Sequence, residues 1–392
     1  MAPGDLSSVH LMRREPYRLF FPLGVVLAWA GIFHWLLHAI RVIPDYRPIF
    51  HAMTQVQGFL TCMAAGFLFT MLPRRTTSGP PAAWQIVVGA AGPALTVGAA
   101  WWQLWTLAQV AWLATAAVLI EFSLRRFHGA ESERRPPVGF VWIPLGLLMG
   151  ICGALISLIY RSLDPTLAWL HTLASGLVLQ GLFVGFVLGA GALALPLMTR
   201  DGAPPDMGSG AGDTPATLAH LGAAALLVLS FWVEATASLR FGLAMRAAIV
   251  VAVYLFGIRM WKAPSRPGWN ARAIWAAAWL VPIGYLLAAA LPGNAIAGLH
   301  VTFIGGFALL ALLISTQVSL GHGGYVDLRL GKPWVVPVLA LSMLAAIVAR
   351  VAMELDPRRF FVWMAMAAFF FLCGALAWMM FVMPKIWRNA EG

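Results

Sequence analysis

Long runs of apolar residues alternate with short polar connections along the chain, and the runs are too long to be core strands or ordinary buried helices. Candidate spans fall at residues 19–40, 52–72, 84–101, 104–124, 139–160, 169–196, 217–237, 243–262, 270–291, 298–320, 333–353 and 359–384. Crossing a hydrocarbon core as an α-helix takes roughly 18–20 apolar residues, and each run meets that length. None shows the ten-residue alternation of a barrel strand. The expected fold is all-α: a polytopic membrane protein of about twelve transmembrane helices, with a tail at 1–18 and one membrane domain at 19–392. Between the third and fourth runs, Trp101, Trp102 and Trp105 suit an interface and a tight turn. The longest polar gap, Thr199 to Pro215, is rich in Gly, Pro and Asp. It reads as a flexible loop, 199–215, joining halves at 19–198 and 216–384.

Composition agrees with the pattern. The chain is 61% hydrophobic and 10% charged, against about 25% charged in a soluble domain. So few charges cannot cover a globule, and in lipid the backbone must satisfy itself within helices or closed barrels. The formal charge of +11 is no sign of nucleic acid, because the cations sit in short loops between apolar runs. With the N-terminus cytoplasmic, that side receives eighteen Lys and Arg and the other eight. The asymmetry and the even helix count place both termini in the cytoplasm, in a multi-pass protein of the inner membrane. Cys62, Cys152 and Cys373 all lie in apolar runs and read as buried small hydrophobes rather than a disulfide framework. The polar stretch Met1 to Arg18, followed by a run long enough to span, is not expected to be a cleaved signal peptide.

Chemistry enters with the nine histidines. Ionisable groups inside a membrane are functional candidates by default. His10 and His128 fall in cytoplasmic segments. Counting helices puts His34 and His38 at the outer end of the first span, and His51, His171 and His300 at the outer ends of the second, sixth and tenth. His220 and His322 lie toward the cytoplasmic face. The second, sixth and tenth spans also open alike, with Phe50-His51, Leu170-His171 and Leu299-His300, each followed by a glycine (Gly58, Gly176, Gly305). A four-helix spacing between them hints at three four-helix units. Gly66, Gly181, Gly185, Gly189 and Gly306 let neighbouring helices or a flat cofactor approach. Facing helices offering one neutral imidazole each suit axial ligation of haem iron, with outer-side Arg41, Arg47, Arg161, Arg358 and Arg359 as partners for its propionates. His34 and His38, four residues apart, have a spacing that also suits a transition metal such as copper. The plainer reading for any one histidine is a hydrogen bond to a carbonyl or hydroxyl on the next helix.

Several stretches resemble the NnrS family, bacterial twelve-helix membrane proteins that carry haem and are linked to copper and nitric oxide. They are Pro16-Tyr17-Arg18-Leu19-Phe20-Phe21, Phe50-His51-Ala52 with Gly58-Phe59, and Ala65 to Thr70 ending at Pro73. Ser230 to Ala235 in the seventh span, Leu299-His300-Val301-Thr302 through Gly305, Ser319-Leu320-Gly321-His322-Gly323 and Arg350 complete the pattern. The chain departs from it at Met53 and Thr54, where the family has a second histidine and a glutamate, and at Arg74-Arg75-Thr76 in place of an aromatic loop. The resemblance implies haem b bridging the second and tenth helices through His51 and His300, with His171 next in line and His322 at the far end. It also implies nitric oxide or another diatomic as ligand, copper as a further metal and a redox partner. The layout is similar to the catalytic subunit of haem–copper oxidases, but the paired histidines of the seventh helix are missing, so a proton-pumping oxidase is not expected.

Two other classes stay open on sequence alone. Twelve helices also suit a transporter or channel, although membrane-embedded carboxylates are few. Glu234 is expected to pair with Arg240, Arg246 or Arg350. A cofactor-free accessory subunit of a membrane redox complex is the third possibility. No nucleotide loop, Cys-x-x-Cys, c-type haem attachment motif or serine hydrolase elbow is present.

Overall fold

A computed structural model describes residues 8–127, 134–160, 167–200, 202, 204–206 and 213–387. The described residues form helices and no strands. Twelve helices are long and apolar enough to cross a membrane: α1 Tyr17–Ala39, α2 Pro48–Thr76, α3 Ala83–Trp101, α4 Trp105–Phe127, α5 Val138–Tyr160, α6 Ala168–Thr199, α7 Asp213–Thr236, α8 Leu239–Ile258, α9 Trp269–Ala290, α10 Pro292–His322, α11 Val335–Leu355 and α12 Pro357–Trp387. The tryptophan turn lies between α3 and α4, where Gln103 takes a left-handed φ of 60°. Several boundaries move by four to six residues, the start of α10 most, from 298 to Pro292. The apolar pattern continues past Ile258, but Arg259 adopts φ 60° and ends α8 four residues before the pattern does.

Helices α2, α6 and α10 are the inner ones. Within their apolar windows 89%, 78% and 67% of residues are buried, and in no other helix does the share exceed 50%. The other nine form a ring around them. Helices α1, α3 and α4 pack on α2; α5 packs along α6 with α7 and α8 beside it; α9, α11 and α12 surround α10, and α12 closes the ring against α1. The three units suggested by the histidine spacing are thus three sets of four helices, each giving its second helix to the centre. Outer faces carry exposed large side chains such as Phe256, Leu341, Met380 and Val87, as a lipid-facing surface requires.

Close packing toward the centre depends on absent side chains. A Cβ on Gly185 would lie 2.4 Å from the Cα of Gly146, so α5 and α6 touch backbone to backbone. A Cβ on Gly298 would meet the Ala288 backbone nitrogen at 2.3 Å, and one on Gly306 would meet Val281 at 2.5 Å, which seats α10 on α9. Small residues at helix contacts supply the van der Waals association that the hydrophobic effect cannot supply within lipid.

All three inner helices depart from α-geometry at one place. Thr54–Leu60 in α2, Leu177–Gly181 in α6 and Val301–Leu309 in α10 wind as π-helix, with wider turns. Each begins within six residues of His51, His171 or His300. Such wide turns are rare and often sit at functional sites, because they re-aim side chains that regular winding would point elsewhere.

Candidate cofactor site between α2 and α10

His51 stands in the first turn of α2, beside the buried Phe50, whose ring packs edge-on against Trp101 at 5.2 Å. Its Nδ1 lies 3.1 Å from the Gly31 carbonyl of α1. A Cβ on Gly31 would fall 2.6 Å from the Gln55 side chain, so this glycine is what lets the carbonyl come close. His300 closes the first regular turns of α10, and its Nδ1 lies 2.8 Å from the Ile296 carbonyl of the same helix. A carbonyl can only accept, so both imidazoles carry their proton on Nδ1 and keep a lone pair on Nε2. Metal-binding histidines are oriented in this way.

Both rings line one cavity of about 440 Å³, within the size range that holds cofactor-sized ligands. Phe59, Phe303, Ile304 and Phe371 give it apolar walls. Arg350 of α11 supplies a guanidinium, and one of its nitrogens bonds Glu354 at 2.8 Å. Trp35 and Tyr46 also line the cavity, and the Trp35 ring centroid is 5.4 Å from that of His51.

The third inner helix contributes Gln180 to the cavity wall. Its Oε1 accepts a 2.6 Å bond from Arg246 of α8, a side chain with no solvent exposure. Arg246 also pairs with Glu234, donates to the Ser230 hydroxyl at 3.2 Å and lies 4.1 Å from the Phe231 ring centroid. The partner expected for Glu234 is therefore Arg246. A buried guanidinium is tolerable only when paired and hydrogen-bonded on several sides, and here α6 and α7 provide those partners.

The remaining histidines do not join the pair. His171 is exposed and rests against Tyr160, with ring centroids 5.5 Å apart. His34 is buried among Trp35, Phe50 and Trp101. His38 faces Tyr46 and Phe361, with its Nδ1 3.2 Å from the Ile43 carbonyl. His322 lies at the other end of α10, about 33 Å along the axis from His300 at ~1.5 Å per residue. It accepts a hydrogen bond from Arg74 and stacks on Tyr17 at 5.3 Å. His220 accepts a 3.0 Å bond from the Trp142 indole, and His128 lies outside the described residues. Among the described residues no group of three or more His, Cys, Asp or Glu is placed to hold a metal ion. The donor set is two imidazoles, each with Nε2 free of the carbonyl bond, at one mostly apolar cavity, a set whose chemistry fits a haem iron.

The family pattern of the sequence gains direct support at this point. The family model described as NnrS protein matches residues 12–389. The chain belongs to the NnrS family. No curated protein matches it. In this NnrS chain the position of the family glutamate, Thr54, is fully buried against Gly31 of α1, and no partner for its hydroxyl is found among the described residues. None of the described arginines expected to serve propionates lines the cavity. Arg41 and Arg358 are exposed, Arg47 is held by Asp45 and the Trp101 carbonyl, Arg359 is near Asp356, and Arg161 is outside the described residues. Among the described residues the cation lining the cavity is Arg350, which the sequence offers as part of the family pattern and as a possible partner of Glu234 rather than as a cofactor residue. Gln55 and Gln180 were missed altogether. Both are amides in the middle of apolar runs, and that cost in lipid was a usable signal.

Proposed function

We propose that the chain binds haem b in the cavity between α2 and α10, with His51 and His300 as axial ligands. In this reading it acts in the bacterial nitric oxide response by binding or turning over the gas. The supporting observation is the matched pair of imidazoles, each with Nδ1 committed to a carbonyl, at one apolar cavity. Family membership supports the biological setting. Each residue then has a definite task. The Gly31 and Ile296 carbonyls hold the two rings in the metal-binding tautomer. Phe59, Phe303, Ile304 and Phe371 would exclude water from a bound haem, and Arg350 would supply a cation for one of its propionates. Haem bound there would supply one-electron redox chemistry and an iron whose gas affinity depends on whether both imidazoles stay bound. The nearby aromatic side chains lower the local polarity, a further control on the iron's potential.

Absorption spectra of the purified protein test this directly. A Soret band and a b-type pyridine haemochrome are expected, and His51→Ala and His300→Ala should each lose most of the haem. A colourless preparation, or variants that keep full haem, would remove the proposal.

A further inference from the structure

Further along the three inner helices lies a second, smaller space of about 80 Å³. Ala64 of α2, Ala190 and Gly191 of α6 and Ala311 of α10 line it, so the room is left by small side chains facing one another at the centre of the bundle. Its single polar side chain is Ser315. That hydroxyl is already used: it donates to the Leu312 carbonyl at 2.9 Å and accepts from the Trp378 indole at 3.0 Å. A water molecule needs two to four polar partners to stay in such a place. The lining offers at most one further acceptor, the second lone pair of Ser315, too few to hold a water molecule in place. A polar or charged guest is excluded by the cost of its desolvation. An unfilled apolar space gives up dispersion contacts on every wall, and a small apolar guest restores them.

The chamber adjoins the histidine cavity. Leu60 lines both spaces. Phe303 of the cavity and Phe307 of the chamber meet edge to face with ring centroids 5.8 Å apart, and Phe307 lies 6.0 Å from Phe183 across the axis. Leu60 and this aromatic pair are thus where the walls of the two spaces meet.

We propose that this chamber binds one small neutral apolar molecule, a diatomic gas, and passes it to the histidine cavity past Leu60 and the Phe303–Phe307 pair. The transfer rests on the haem reading above; the binding does not. Neutral gases dissolve in the lipid surrounding the bundle, and a dry pocket at its centre stores them without competition from water.

The test uses crystals of the full chain pressurised with xenon. A single anomalous peak bounded by Leu60, Ala64 and Ala311 is expected, and Ala311→Phe or Ala64→Phe should abolish it at unchanged helicity. Ordered water, an acyl chain or no peak in the unsubstituted protein would overturn the site. In reduced protein, xenon should suppress one phase of carbon monoxide rebinding after photolysis; an occupied chamber with unchanged kinetics would overturn the transfer. Colourless protein with a xenon peak keeps the chamber and removes the haem reading. Coloured protein without a peak removes the chamber alone.

Discussion

Arg246 is the residue whose environment makes the sharpest demand. It is fully buried, and its partners Gln180, Ser230 and Glu234 belong to α6 and α7. Removing one member of a buried ion pair strands the other, typically at about 3–5 kcal/mol, whereas replacing both by apolar groups is often neutral. Arg246→Ala should therefore lower the melting temperature in detergent by many degrees. Arg246→Leu with Glu234→Leu should recover most of that loss. If the single and double variants melt alike, the pair is a bystander. The comparison also reads the cavity, since Gln180 loses its anchor in both cases. Haem content that falls in the double variant despite recovered stability would show that the amide is held in place for the site's sake.

Among the elements, α10 carries the most. It bears His300, Phe303 and Phe307, and it seats on α9 through glycines that admit no Cβ. Gly298→Val would drive a side chain into the Ala288 backbone and push away the turn that holds His300. Overpacking of this kind costs about 1–3 kcal/mol, and haem content should fall with it. Gly222 of α7 is the counterpart, since nothing lies within 4 Å of a Cβ there. Gly222→Ala should leave haem unchanged and raise stability by about 0.5–1 kcal/mol, because glycine within a helix is entropically unfavourable. Equal effects at the two positions, measured by thermal unfolding and Soret absorbance, would contradict the packing argument. The π-helical turns carry the same lesson in the other direction. Helical periodicity read from the sequence assumes 3.6 residues per turn, and after His51, His171 and His300 that assumption fails.

For the whole molecule, an even number of candidate spans predicts that the two termini share one side of the membrane. The distribution of Lys and Arg predicts that this side is the cytoplasm. A fluorescent protein that matures only in the cytoplasm should light up when fused after Trp387, and alkaline phosphatase inserted at Arg41–Arg47 should be active. The reverse result would invert the orientation and with it the face on which His51 and His300 lie. The nearly threefold arrangement also explains why His171 fails to join the pair. Each unit presents its inner helix with a histidine near the same end, but only α2 and α10 turn theirs toward the shared cavity, while α6 contributes Gln180 instead.

The sequence determined the solvent, the helix count and the family pattern. Those follow from run length, scarcity of charge and residue order, all of which are local or additive along the chain. It also made His51 and His300 leading candidates, because depth in the bilayer can be counted from helix starts. What depth cannot give is azimuth. Which way each histidine faces depends on the π-helical turns, on the missing side chain at Gly31 and on how the ring of outer helices closes. Only tertiary structure therefore separated the pair from His171, exchanged the expected arginines for Arg350 and brought Gln180 and Arg246 to the cavity wall. The dry chamber beside it was invisible for the same reason: an empty space is bounded by residues from distant segments and has no sequence of its own.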